Sequence, residues 1–408
     1  MVMEFTNLTA YFFKLMTPTS NNIKVGDTMA VDLLTQANVL ILIIVILLSS
    51  LISLRLGLAV AIIELLLGAI FGNLGILQAA DWMTILATFG GILLTFMAGT
   101  EIDTQVMREK YKESFLIGFL SFLVPFIGVS LFTYFIAGWN TQAALIAGIA
   151  LSTTSLAVVY SVLLETNLPD ANLAKTLLAA TFVTDMTTVI VLSILFLKPD
   201  LYTLLFVIIS VVIVVIAAKY SERIFNHEKL KNKVIEPEIK YIFLILVIFM
   251  YFAAIGNGEA VLPAFILGLL MSKQLAKVKN LMVRLRTVAY AVITPVFFIV
   301  GGLKISFSLI LASLGLFIIL FGLKLVTKFI GVYFLANRYI PNGSMYFTLL
   351  MSTGLTFGTI ASLFGLNAGY IDQVQYSVLI GVVVSSAIIP TFVATKWFLP
   401  RHSEDITE

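Results

Sequence analysis

Apolar segments of about twenty residues recur along nearly the whole chain, with only short polar connections between them, and this pattern leaves little choice of fold. They number about thirteen by length and hydropathy. They fall near residues 38–56, 58–77, 82–99, 114–137, 141–164, 172–197, 201–219, 239–255, 259–275, 284–302, 308–336, 344–366 and 371–396. Only helices and closed barrels satisfy their own backbone polar groups in hydrocarbon, and runs of this length without alternation argue for helices. Of the 408 residues, 60% are hydrophobic and 12% charged. A water-soluble core could not hide so much apolar surface. The chain reads as an all-α polytopic membrane protein.

Residue types exclude several chemistries. There is no cysteine, so disulfides and thiolate metal sites are ruled out. The two histidines, His227 and His402, lie in polar segments, so no histidine cluster holds a metal in the membrane. A net charge of +3 gives no reason to expect a nucleic-acid partner. The longest connection, Lys219 to Lys240, reads as a solvated loop or surface connector. Phe12, Phe13 and Leu15 form an apolar stretch too short for a signal peptide, and a short interfacial helix is expected there. The polar tail after Trp397 is too short for a nucleotide-binding module.

Loop charges set the orientation. Alternate connections hold Arg55; Arg108, Lys110 and Lys112; Lys175; the lysines and arginine between Lys219 and Lys240; Lys273 to Arg286; Arg338; and Lys396 with Arg401. The other side holds Lys14, Lys24 and Lys198. The bias places the N-terminus outside and the C-terminus in the cytoplasm, as in the plasma membrane of a prokaryote.

Asp185 stands in the middle of the segment NLAKTLLAATFVTDMTTVIVLSILFL, which has no other acid. A carboxylate at bilayer depth costs several kcal/mol and is by default a functional group. Desolvation favours its protonated form, and a bound cation favours its ionised form. One residue can thus take a proton or a metal cation in turn. The alternative is a structural role, as a cap for a neighbouring helix or a partner for a lysine.

Two segments two hundred residues apart resemble each other. LSTTSLAVVYSVLLETNL starts at Leu151, and MSTGLTFGTIASLFGLNA starts at Met351. Ser152 matches Ser352 and Thr153 matches Thr353, with Leu163 and Asn167 matching Leu363 and Asn367. By the loop charges the two run in opposite directions, so they form an inverted repeat. Both carry polar or small residues at membrane depth: Ser152, Thr153, Thr154 and Ser155, then Ser352, Thr353, Gly354, Thr356 and Gly358. Such stretches unwind where they line a cavity, or else merely let helices pack closely. As a matched pair they point to two discontinuous helices that cross near Asp185, unwound over 152–155 and 352–358. The second copy has Ser385 where the first has Asp185.

Further motifs complete the pattern. IIELLLGAIFGNLGIL contains Glu64, Gly68 and Gly72, and LLTFMAGTEID ends in Glu101 and Asp103. Later come VLPAFILGLLM, TPVFFIVGGLKIS and VTKFIGVYFLA. With LSTTSLAVV, TFVTDMTTV and LLMSTGLTFGTIASLFG, their order over residues 38–397 resembles the monovalent cation:proton antiporters. The branch resembled includes bacterial and archaeal sodium/proton exchangers and potassium efflux antiporters. The resemblance implies a core domain that moves against a dimerising scaffold. It divides the chain into an N-terminal segment 1–37, scaffold 38–113, first core repeat 114–197, scaffold and linker 198–307, second core repeat 308–397 and a cytoplasmic tail 398–408.

The resemblance also makes Asp185 the essential acid, for Na+ in the first place and K+ in the second. Thr184 precedes it where electrogenic members carry a second acid and many electroneutral ones an asparagine, so one cation per proton is expected. Thr181 lies one turn earlier on the same face and is expected to help bind the ion with Thr153, Thr154, Ser155 and Thr184. Lys328, at the basic position of VTKFIGV, is the first candidate for the charge partner of Asp185, and Lys324 the second. Either lysine could instead reach toward the cytoplasm along its stem. Glu64 reads as a structural acid at least as much as a transport group, and Glu259 and Lys304 are expected at the outer edge. No cofactor is implied, a homodimer is, and membrane lipid surrounds it. The competing readings are an organic-anion symporter, for which a lone Asp185 is a poor ligand, and an ion channel, for which no filter-like glycine run occurs.

Overall fold

A computed structural model describes residues 25–100, 111–166, 172–196, 201–226, 235–256, 260–278 and 280–400. Residues 1–24, Glu101, Asp103, Asn167, Lys198, His227, Glu259 and His402 lie outside the described residues. Among the described residues all regular structure is helical. The elements are α1 (Val25–Leu56), α2 (Val60–Asn73), α3 (Asp81–Thr100), α4 (Tyr111–Phe135), α5 (Thr141–Ser152), α6 (Leu156–Glu165) and α7 (Asn172–Leu195). They continue with α8 (Leu201–Asn226), α9 (Pro237–Ile255), α10 (Val261–Lys277), α11 (Leu281–Val288) and α12 (Thr294–Leu303). Last come α13 (Phe307–Ala312), α14 (Leu314–Tyr339), α15 (Ser344–Met351), α16 (Thr356–Asn367) and α17 (Gln373–Trp397).

Among the described residues, ten spans are long and apolar enough to cross a membrane. Shorter apolar helices at Val60–Asn73, Thr141–Ser152 and Val261–Leu275 stand where three more crossings are expected from sequence. Helix ends follow local chemistry. Asn140 accepts from the Ala143 amide at 2.8 Å and starts α5. Asp372 and Gln375 exchange side-chain bonds with each other's amides at 2.8 and 2.9 Å, a capping box that starts α17. A π turn at Ala289–Ile293 joins α11 to α12 just before Pro295, whose ring nitrogen cannot continue the ladder.

Two expected boundaries are corrected. The stretch from Lys219 is not a loop, because α8 continues to Asn226 and carries Lys219 and Arg223 on its last turns. The span expected over 308–336 is two helices. Ser313 ends α13, with its amide bonded back to Leu309 and Ile310, and α14 begins at Leu314. Lys324 and Lys328 consequently both lie near the middle of α14, which removes the reason to see Lys328 as nearer one membrane face.

Helices α4 to α7 pack on one another and on α14 to α17. Helix α3 packs along α10 and α12, and α2 along α12. Lipid tails are as apolar as side chains, so helices in a membrane associate by close fit rather than by escape from water. Gly302 on α12 shows the fit: a Cβ there would strike the Leu65 carbonyl oxygen and lie 2.8 Å from the Ala69 nitrogen of α2. A methyl group at position 302 must therefore separate two backbones. Gly302→Ala is expected to destabilise the protein by about 1–3 kcal/mol, the usual cost of overpacking. Gly315→Ala, where nothing stands within 4 Å, serves as the control. Thermal unfolding in detergent checks this, and equal melting of the two variants would refute the close α2–α12 contact.

Candidate functional site

The chain unwinds twice at membrane depth. The first break, Thr153–Ser155, separates α5 from α6, and the second, Thr353–Leu355, separates α15 from α16. Both are shorter than the sequence suggests. Ser152 remains in α5 because its hydroxyl donates back to the Ile149 carbonyl at 2.8 Å. Thr356 and Gly358 are already helical, because the Thr359 amide bonds the Leu355 carbonyl at 2.8 Å. Ser352 likewise donates to the Thr348 carbonyl at 2.8 Å.

The two breaks touch. The Thr154 hydroxyl donates to the Met351 carbonyl at 2.9 Å. Met351 is the last residue of α15, so this carbonyl is one that the helix itself leaves open. Thr153 donates to the Ala150 carbonyl at 3.1 Å and Thr353 to the Leu350 carbonyl at 2.7 Å. Ser155 caps α6 weakly, accepting from the Val158 amide at 3.5 Å. Close approach needs small residues: a Cβ at Gly354 would lie 2.8 Å from Thr153 Oγ1, and one at Gly358 would lie 3.0 Å from the Ala150 carbonyl. The Gly354 carbonyl accepts from Ser386 on α17 at 3.4 Å.

Asp185 is 2% exposed on α7. One turn before it, the Thr181 hydroxyl lies 3.4 Å from the Met351 sulfur, so this face of α7 meets the end of α15 at the crossing. Lys324 and Lys328 of α14 are fully buried. Lys328 donates to Thr154 Oγ1 and to Ser121 Oγ, each at 2.9 Å. Lys324 and Asp185 are the charged neighbours that act on it. The Lys324 ammonium nitrogen meets no hydrogen-bond acceptor among the described residues. It faces the second break, where a Cβ at Gly354 would come within 2.5 Å of it. The structure thus gathers Ser152, Thr153, Thr154, Ser155, Thr181, Asp185, Lys324, Lys328, Ser352, Thr353 and Gly354 around one crossing.

Thr184 is turned elsewhere. Its hydroxyl donates to the Gly118 carbonyl of α4 at 3.1 Å and to the Ala180 carbonyl at 3.0 Å. Its proton holds α7 against α4, and the expectation of a hydroxyl aimed at the ion is corrected to that extent. Ser121, which holds Lys328, is not among the residues expected from sequence. The available signal was its place three residues after Gly118, on the same face of α4. Glu64 is buried on α2, one turn before Gly68, where α2 meets Ile299 of α12. Lys304 ends α12 and donates to Asn367 at the end of α16 at 2.7 Å. A cavity of ≈ 530 Å³ runs beside α16, lined by Thr88, Ile92, Phe297, Ile360, Phe364 and Asn367 among others. Among the described residues no group of histidine, aspartate and glutamate could hold a resident metal ion.

Comparison with known proteins bears on this geometry. A family model for the sodium/hydrogen exchanger transmembrane region matches residues 39–399. "Probable Na(+)/H(+) antiporter 3" of Methanocaldococcus jannaschii is 27% identical over 80% of this chain and 89% of its own length. The "Na(+)/H(+) antiporter" of Enterococcus hirae is 27% identical over 86% of this chain and 94% of its own. "K(+)/H(+) antiporter 1" of Saccharomyces cerevisiae is 24% identical, over 77% of this chain and 38% of that protein. The solved structure of the sodium proton antiporter MjNhaP1 from Methanocaldococcus jannaschii shares the fold, with a TM-score of 0.64 at 15% identity, covering 89% of this chain and 99% of that one.

The Thr154 hydroxyl accepts from one helix and donates to another, so its loss opens two bonds at once. Thr154→Val keeps the shape and removes both. It is expected to lower stability by about 1–3 kcal/mol, because the Met351 carbonyl loses its partner where no water replaces it. Thr154→Ser is expected to retain most of that stability. Unfolding curves for the two variants in detergent decide the matter; a Thr154→Val protein as stable as wild type would mean that the bridge does not hold the crossing.

Proposed function

The chain belongs to the sodium/hydrogen exchanger family, and from that premise we propose that it exchanges Na+ for H+ at Asp185 by alternating access. The observation that carries the assignment of the site is Asp185 itself: a buried carboxyl on the face of α7 that meets two broken helices. Thr181 and the hydroxyl and carbonyl oxygens of Thr153, Thr154, Ser155, Thr353 and Gly354 offer the oxygen ligands that alkali cations take up in place of water. Lys328 is the charge partner in this reading, supported by its two bonds into the crossing and by Asp185 as its charged neighbour. Proton and cation exclude each other at the one carboxylate. K+ is the alternative cargo, favoured by the likeness to the yeast K(+)/H(+) antiporter.

The cycle needs no resident cofactor, since the acid carries both cargoes. Helices α4 to α7 with α14 to α17 move as one body against α2, α3 and α8 to α12, and the second body joins two copies into a homodimer. The protein sits in the plasma membrane of a prokaryote with its N-terminus outside, an orientation supported by the lysines and arginines of alternate loops.

Asp185→Asn is expected to fold and to abolish exchange. Purified protein in liposomes, driven by a Na+ gradient and read by an internal pH dye, measures this; substantial proton flux in the variant would remove Asp185 from the mechanism. Competition at one carboxylate sets the pH dependence. Apparent Na+ affinity should weaken roughly tenfold per pH unit in the acid range, about 1.4 kcal/mol for one proton, while the maximal rate changes much less. Lys328→Gln should move this curve to higher pH, because a carboxylate without its cationic neighbour is easier to protonate. An affinity that stays flat where activity changes would put proton and cation on different sites.

Stoichiometry follows from the same single acid. One cation for one proton moves no net charge, so an imposed diffusion potential should leave the rate unchanged. A clear acceleration by voltage would mean that a second proton is carried.

A further inference from the structure

A second cavity lies away from the crossing, on the flank of the helix that carries Asp185. It measures ≈ 280 Å³ and is lined by the end of α7 (Ser193, Phe196), one face of α8 (Phe206 to Val215) and the start of α10 (Leu262 to Leu270). Its walls are almost wholly apolar. Its rim faces the bilayer: Val211, Val215 and Leu270 are 57%, 58% and 49% exposed. Two polar atoms break the apolar lining. The hydroxyls of Ser193 and Ser210 are buried, and neither has a hydrogen-bond partner among the described residues. Ser210 as a whole is 5% exposed.

These two hydroxyls behave unlike others on the same helices. Thr187 and Thr188 on α7 turn back to the carbonyls of Val183 and Thr184 at 2.7 and 2.8 Å. Ser221 on α8 does the same toward Ala218 at 2.7 Å. A hydroxyl in hydrocarbon normally takes this local bond, since an unmet donor there is costly. Ser193 and Ser210 forgo it and line the groove instead. Both sit in the half of the span nearest the α7–α8 connection, Ser193 within the last turn of α7 and Ser210 within the first half of α8. The polar-to-apolar boundary of a bilayer, where lipid ester oxygens lie, is reached from that end.

We propose that the groove is a binding site for a membrane phospholipid, with one acyl chain along the apolar wall and ester oxygens accepting from the Ser193 and Ser210 hydroxyls. Shape and polarity both select this occupant. The wall suits a methylene chain, the open rim admits it sideways from the bilayer, and the two hydroxyls supply donors to ester oxygens, which can only accept. The groove spans α7 on one side and α8 and α10 on the other. On the proposed function those helices belong to bodies that move past each other, so a lipid seated there makes the exchange rate depend on acyl-chain length.

The test uses the full chain in liposomes of phosphatidylcholine containing a trace of phosphatidylcholine with a photoreactive diazirine on its acyl chain. After illumination, labelled positions are mapped by mass spectrometry. The lining residues Val207, Val211, Val214, Leu262 and Ile266 are expected to label more strongly than Leu204 and Ile208, which are 56% and 51% exposed on α8 outside the groove. Ser193→Ala with Ser210→Ala should reduce groove labelling several-fold and leave Leu204 and Ile208 unchanged. Equal labelling at both places, unmoved by the substitutions, would reduce the groove to ordinary bilayer contact and overturn the proposal. So would an unlabelled groove with cross-links between two copies of the chain, which would show that a second copy covers it. Labelling is read without any transport, so it stands apart from the exchange mechanism. If labelling succeeds and the exchange rate ignores chain length, the site holds and its link to the moving bodies fails.

Discussion

The bond from the Thr154 hydroxyl to the Met351 carbonyl ties together the feature on which the architecture turns. A helix broken inside a membrane exposes carbonyls and amides that water cannot satisfy, and each one costs several kcal/mol if left open. This chain breaks two helices where they meet and lets the first break answer an open end of the second. Thr154, in the first break, closes the end of the second repeat's half-helix. Local hydroxyls serve the remaining ends: Ser152 and Thr153 on α5, Ser352 and Thr353 on α15. The hydroxyl-rich sequence STTS is thus first a solution to a backbone problem. The oxygens collected for that purpose also make the crossing suitable for a cation.

Charge at the crossing is uneven. One carboxyl, Asp185, stands among two buried lysines on consecutive turns of α14. The lysines are not equivalent. Lys328 has two hydroxyl oxygens to donate to, and both also belong to the packing of the crossing. Lys324 lies against Gly354 without an acceptor among the described residues. On the proposed function, a cation arriving here shares the crossing with these two lysines. The ionised acid and the oxygens of the breaks are then what attract it, and the protonation state of Asp185 controls occupancy.

Much of this is written in the residues. The apolar spans gave the helical class, and each has a helix at its place. Asp185, the paired STTS and STG stretches and both lysines were identifiable because polar groups at membrane depth are rare and expensive. What sequence could not resolve was the direction of each hydroxyl. Helical spacing puts Thr181 on the face of Asp185 and Thr184 off it, but only the fold shows that Thr184 bonds Gly118 on α4 and Thr181 meets Met351. That difference depends on which helix happens to lie on each side of α7, a tertiary fact. Ser121 was missed for the same reason: a serine in a membrane helix usually bonds its own backbone. Helix limits failed where the breaker was subtle. Ser313 divides a span that contains no proline, through backbone geometry alone.

If the site moves as the proposed cycle requires, the bonding around it bears on how. Within the group α4 to α7 and α14 to α17, contacts at the crossing are directional: hydroxyl to carbonyl and ammonium to hydroxyl. Between that group and the rest, apolar contact is prominent. Phe182 of α7 stacks on Phe265 of α10 at 5.9 Å with rings within 7° of parallel, and the ≈ 530 Å³ cavity lies between α16 and the helices α3, α9 and α12. Apolar contact has no preferred register, so sliding one face over the other exchanges similar contacts at little cost, whereas shearing the crossing would strand buried donors. Motion on the proposed cycle therefore follows the apolar face. The directional ties across that face cluster where α12 ends against α16 and α17: Lys304 donates to Asn367 at 2.7 Å, Gln373 to the Lys304 carbonyl and Tyr376 to the Gly301 carbonyl at 2.7 Å, and they mark the place where the two groups of helices must part or pivot if the site is to open toward that side.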